Sequence, residues 1–134
     1  MNKESIITLD APEPIGPYSQ AIRSGNMLFI SGQIALDPAT NQLIEGDVSS
    51  ETAQVMKNLS AILLAGGMDF SHVVKTTIFL TDMSLFTAVN EVYGKHFKSH
   101  PPARETVAVK GLPKGVNVEI SMIAVLDPVV SPGT

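Results

Sequence analysis

The stretch His100–Val125, HPPARETVAVKGLPKGVNVEISMIAV, most constrains what this chain can fold into. It reads as a β-hairpin in which two apolar-rich runs, Glu105–Val109 and Val116–Val125, flank a turn carrying Gly111, Pro113 and Gly115. Pro101 and Pro102 end any preceding helix and force an extended approach. Side chains alternate along a strand, so Arg104, Thr106, Ala108 and Lys110 share one face and Val107 and Val109 the other. On the returning run Asn117, Glu119 and Ser121 alternate with Val118, Ile120 and Met122. Burial selects the register that groups polar with polar, which points Arg104, Thr106 and Glu119 out of one surface.

A lone arginine and glutamate in an otherwise apolar hairpin need a reason. One is a cross-strand salt bridge that serves the fold alone. The other is a small cleft, with Arg104 as an anion anchor beside Glu119 as a carboxylate able to move protons. The chain has only two arginines, Arg23 and Arg104, so a planar fork that grips a carboxylate bidentately is scarce here.

Upstream, Ser5–Leu9 reads as a short strand closed by Asp10, Pro12 and Pro14. The rigid loop that follows presents Tyr18, either packed on the core with its hydroxyl wet or closing a site. Met27–Leu36 reads as a strand interrupted at Ser31-Gly32, which signals a bulge or a close approach to the backbone by something else, such as a ligand. A turn at 37–41 leads to a short strand at Gln42–Ile44.

A first helix starts near Ser49 or Ser50, either of which can cap it, with Glu51 suited to the helix dipole. Ala53, Met56, Leu59, Ile62 and Leu63 form its apolar stripe, and Gly66-Gly67 ends it. Val73–Thr81 is a strand rich in β-branched residues. Asp82 caps a second helix whose stripe is Phe86, Val89, Tyr93 and Phe97. Asn90 lies near that stripe, where an interior amide satisfied by backbone is the simplest reading. His96 and His100 have the spacing of a metal pair, but Pro101 ends the helix and no third ligand is evident, so no metal site is expected.

With 134 residues the chain reads as one domain, 1–134, able to bury roughly two-thirds of its unfolded surface. A net charge of −4 and scattered lysines argue against a nucleic-acid partner. With no cysteine there is no disulfide framework, thiolate nucleophile or thiolate metal site. No apolar run suits a signal peptide or a membrane span, so a cytoplasmic location without membrane association is expected.

The element order is β, β, short β, α, β, α, β, β, an α+β chain with a mixed sheet. Two helices cannot cover both faces of such a sheet, so they lie on one. The other face then carries Val73, Thr77, Phe79 and the polar set of the hairpin, too apolar to stay wet. Self-association with a site at the seam between subunits resolves this.

The run Pro102-Ala103-Arg104, Val107, Leu112-Pro113-Lys114 and Val118-Glu119-Ile120 resembles the signature of the reactive intermediate deaminase family, RidA, formerly YjgF. The resemblance continues through Ile15–Gln20, Ile30–Ile34, Val74–Thr77 and Val89–Tyr93, covering nearly the whole chain in order. It implies a chorismate-mutase-like homotrimer that hydrolyses enamines and imines such as 2-aminoacrylate, or its tautomer 2-iminopropanoate, to 2-keto acids and ammonia, without cofactor or metal. By the same resemblance Arg104 binds the substrate carboxylate and Glu119 positions water and transfers protons. Ser31, Gly32 and Thr106 then line the pocket, Tyr18 closes it and Asn90 supports it.

Two positions depart from the family's habit. Thr106 stands where many relatives carry cysteine, and Ser121 where many carry a second acid, which bears on the pKa of Glu119. The rival reading is a non-catalytic trimer that senses 2-keto acids through the same Arg104 and regulates a partner. A chorismate mutase would want more cationic anchors than one arginine. The ribonuclease activity reported for some relatives would want a basic surface.

Overall fold

The computed structural model describes residues 3–126. Strands β1 (Lys3–Ile6), β2 (Ala21–Ser24), β3 (Met27–Gln33), β4 (Leu36–Asp37) and β5 (Gln42–Leu43) precede helix α1 (Val48–Ala65). Then come β6 (Val73–Leu80), α2 (Phe86–Gly94), β7 (Ala103–Ala108) and β8 (Val118–Val125). Six strands form one mixed sheet in the order β1-β2-β3-β8-β6-β7, and β4 and β5 form a separate small ribbon.

All pairings in the large sheet are antiparallel except β6 with β7. The expected β7–β8 hairpin is therefore wrong: β6 lies between the two strands. The connection from β6 to β7 runs through α2, and such a crossover returns the chain parallel to the strand it left. β7, mostly exposed along its length, suits the sheet edge. β6 alternates buried and half-exposed residues and fits the interior beside β8.

One face of the sheet carries Leu28, Ile30, Thr76, Ile78, Leu80, Val118, Ile120 and Met122, all buried. α1 packs on β3 and β8, and α2 packs against α1, so both helices cover this face. Each fully buried leucine or isoleucine of α1, such as Leu59 and Ile62, contributes about 1.5–3 kcal/mol by leaving water. The buried stripe of α1 runs through Thr52, Val55, Met56, Leu59, Ile62 and Leu63, while Ala53 is exposed.

Asp47, not a serine, caps α1; its Oδ1 accepts from Ser50 N at 2.8 Å, which holds its pKa below the usual carboxylate range. Asp82 caps a short 3-10 turn, Met83–Leu85, that feeds directly into α2. The β2–β3 hairpin escaped the sequence reading, although Gly25-Asn26 between two strands is a two-residue turn with Gly25 at φ 60°.

The open face carries Phe29, Lys75, Thr77, Phe79, Glu105, Val107, Glu119, Ser121 and Ile123. Val73, expected there, is instead in the core, because an irregularity between Val73 and Lys75 shifts the parity of β6. No helix among the described residues is long and apolar enough to cross a membrane.

Candidate functional site

The register separates the two charged candidates. Arg104 pairs with Thr76, which pairs with Met122, so Arg104 shares the helix-covered face. Glu119 pairs with Phe79, which pairs with Val107, and points to the open face. The expectation that Arg104, Thr106 and Glu119 leave one surface is thus overturned. Inserting β6 between β7 and β8 fixes each parity independently, and the hairpin salt bridge goes with the hairpin.

At the β7 edge the side chain of α2 supports the arginine. Arg104 Nη1 donates to Asn90 Oδ1 at 2.6 Å. Its guanidinium carbon lies 5.1 Å from the centre of the Tyr93 ring and 5.6 Å from that of Phe86. Both aromatic faces attract the cation and fix its plane. Tyr93 is anchored from below, its hydroxyl donating to Thr76 Oγ1 at 3.0 Å, and burial raises its pKa. Asn90 is exposed and serves the arginine side chain, not the backbone. Among the described residues no carboxylate pairs with Arg104. Two residues along the same face, Thr106 Oγ1 is buried without a hydrogen-bond partner among the described residues.

Glu119 belongs to a different place, a cleft of about 200 Å³ that it lines with Tyr18, Gly32, Gln33, Ile34 and Pro113. The register of β3 breaks between Ile30 and Gln33, placing Gly32 in the bulge. A Cβ at Gly32 would lie 2.7 Å from Glu119 Oε2, so what approaches this backbone closely is the glutamate itself. Half-buried and without an ionic partner among the described residues, Glu119 has its pKa raised by desolvation.

Ser31 ties the bulge to the preceding loop, its Oγ donating to Ser19 O at 2.6 Å and its N–H to Gln20 O at 2.9 Å. Tyr18 is half-exposed at the rim, with Ile15 N donating to its hydroxyl at 3.4 Å.

The structure therefore gathers the expected residues into two groups: Tyr18, Ser31, Gly32 and Glu119 at the bulge, and Asn90, Arg104 and Thr106 at the β7 edge. Three supporting residues were missed. Phe86 and Tyr93 appeared only as core stripe, although an aromatic pair beside a scarce arginine is a cation–π signal. Gln20 is buried; it accepts from Thr8 N and donates to the carbonyls of Thr8, Ala11 and Pro12, holding the loop that rims the cleft. No local pattern marks it. Among the described residues no three His, Cys, Asp or Glu side chains cluster to hold a metal. His96 instead packs on Phe70, with ring centres 4.8 Å apart.

A family model described as Endoribonuclease L-PSP matches residues 8–126. The chain is 55% identical over 127 residues to protein DfrA of Myxococcus xanthus, covering 93% of this chain and 97% of that one. It is 48% identical over 123 residues to the human 2-iminobutanoate/2-iminopropanoate deaminase, covering 92% and 90%. A solved structure of YyfA from Yersinia pestis, described as a member of the conserved Rid protein family, superposes with a TM-score of 0.90. It is 47% identical, over 92% of this chain and 99% of that chain.

Proposed function

The chain belongs to the Endoribonuclease L-PSP family, within which its relatives include imine deaminases, and from that premise we propose that it is itself a hydrolytic deaminase of reactive imines and enamines. Its substrates are small 2-imino acids, and its products 2-keto acids and ammonia. The observation that carries this reading is that Arg104 and Glu119 are both without an ionic partner among the described residues, one held flat and the other desolvated.

The reaction follows from those two groups. An imino acid R–C(=NH₂⁺)–COO⁻ presents its carboxylate to the Arg104 fork, whose N–H groups donate to both carboxylate oxygens. Water attacks the imine carbon while Glu119 takes a proton from it, giving a carbinolamine. Glu119 returns a proton to the amino group, the C–N bond breaks as Glu119 takes the hydroxyl proton, and R–CO–COO⁻ leaves with ammonia, which carries that proton away as NH₄⁺. A protonated imine carbon is already electrophilic, so proton transfer and positioning suffice, and neither a metal nor an organic cofactor has a step to perform.

Arg104 and Glu119 of one chain face opposite sides of its sheet, and this supports a site built from two copies. A homotrimer, with one domain per chain, supplies three such seams and covers the open face with its exposed Phe29 and Val107. Thr106, Ser31 and Gly32 line each seam, Tyr18 closes it and Asn90 holds the arginine. The protein acts in the cytoplasm and takes no nucleic acid, in keeping with its net charge of −4.

The test is a coupled assay in which a dehydratase generates 2-aminoacrylate from serine and keto-acid release is timed. Added protein should accelerate release, and Glu119→Gln should lower turnover on the order of 10² or more while keto-acid binding persists. A protein that binds keto acids without accelerating release is a sensor, and the deaminase reading then fails.

A further inference from the structure

We propose that Glu51 is a positioning residue for this reaction, its carboxylate gripping the backbone of Asn117 and Val118 so that Glu119 projects over Gly32 into the cleft. The proposal rests on the deaminase reading of Glu119. Glu51 stands in the first turn of α1 and is 8% exposed. Its Oε2 accepts from Asn117 N at 2.8 Å and Val118 N at 3.1 Å, and its Oε1 from Asn117 Nδ2 at 2.9 Å. It meets these donors across 66 and 67 positions of sequence.

The start of β8 needs such a grip. The chain arrives through a tight turn at Pro113–Gly115 in which Lys114 and Gly115 have φ of 57° and 68°. On one side β6 pairs with it, Leu80 with Val118 and Phe79 with Glu119. On the other, β3 has bulged away, and its pairing with β8 ends at Gln33 and Ile120. The carboxylate takes the acceptor role that a strand would have filled.

Two backbone donors on one oxygen and an amide on the other fix the rotation of the strand as well as its place. That rotation sets the direction in which the next side chain, Glu119, leaves the backbone. In the cleft, over Gly32, that carboxylate is placed for the proton transfers, and burial raises its pKa.

The grip acts through hydrogen-bond geometry and not through charge, which makes the conservative variant informative. A glutamine at position 51 keeps both backbone N–H groups on its Oε1 and donates Nε2 to Asn117 once that amide turns over. Alanine leaves all three donors empty.

The experiment measures kcat and KM for the imine from serine, and the titration of the Glu119 carboxyl by NMR, on the assembled protein below its melting temperature. In Glu51→Ala kcat should fall on the order of 10- to 10²-fold with KM within about twofold, because the arginine half of the site is untouched. The Glu119 carboxyl should titrate nearer the usual carboxylate range as it swings into water. Glu51→Gln should restore both, and Asn117→Ala, which removes one donor of three, should fall between.

Unchanged kcat and unchanged Glu119 titration in Glu51→Ala, or an equal loss in Glu51→Gln, overturn the proposal. If Glu51→Ala does not fold, Asn117→Ala decides by the same two readouts. If the wild type turns over no imine, the deaminase reading fails on its own, and the Glu119 titration still decides whether Glu51 aims that side chain.

Discussion

Gly32 and Glu119 share one volume: a Cβ added at residue 32 would stand 2.7 Å from Oε2, 2.8 Å from Cδ and 3.0 Å from Cγ of the glutamate. The backbone of the β3 bulge is thus the floor on which the candidate proton-transfer group rests. Gly32→Ala should displace the carboxylate and leave the strand in place, since the obstructing atoms are the end of a flexible side chain. Stability should change by less than about 1 kcal/mol. Turnover should fall on the order of tenfold or more. Thermal melts beside the coupled assay check both, and full activity in a folded variant would detach Glu119 from the reaction.

A site shared between copies predicts complementation. Arg104→Lys and Glu119→Gln proteins should each be nearly inactive. Unfolded together and refolded as mixed trimers, they should regain about one quarter of wild-type activity, because random assembly brings an intact arginine and an intact glutamate together at one seam in four. No recovery in mixed trimers verified by native mass spectrometry would mean that one chain supplies both groups.

The raised pKa of Glu119 has a stability consequence of definite sign. In the folded chain this carboxyl binds its proton more tightly than in the unfolded chain. Between the ordinary glutamate pKa and the raised folded value, folding takes up protons, and stability falls as pH rises through that window. Above it the full cost of holding a half-buried carboxylate is present; below it the cost is gone. Glu119→Gln should therefore melt at or above wild type near neutral pH, with the gap closing in acid. Melting temperatures from pH 3 to 8 test this, and a variant less stable than wild type at neutral pH would point to an unseen partner for the carboxylate.

Thr106 offers the reverse case, a buried hydroxyl with nothing to bond among the described residues. Thr106→Val conserves shape and removes an unsatisfied polar atom, so stability should hold or rise by about 1 kcal/mol. If the hydroxyl serves a ligand beside Arg104, calorimetry should show weaker keto-acid binding in the same variant. Equal affinity would restrict residue 106 to its backbone.

What the sequence disclosed, and what it withheld, divides by the range of the interaction. Alternation and helical spacing expose elements and their buried sides, so α1, α2, β6 and the break at Ser31-Gly32 were legible. Pairing between elements is another matter. β7 and β8 are neighbours in sequence and invite a hairpin, but β7 follows a crossover helix and β8 completes an older sheet. The parity of β7 and of β8 was correct; their pairing was not, and Arg104 and Glu119 were placed together on that error. Glu51 and Gln20 were opaque for a related reason. Both bind backbone groups that no periodicity announces, and Glu51 already had a sufficient local explanation in the helix dipole.

The position of β8 bears on how the protein is made. Among the described residues, the last strand of the sheet to be synthesised is an interior one, inserted between β3 and β6. Until Val118–Val125 leaves the ribosome, β1–β3 and β6–β7 are two separate ribbons, each with an open edge toward the gap. A nascent chain stalled before residue 118 holds β1–β7 and lacks the strand that joins them, the state most exposed to pairing with a foreign strand.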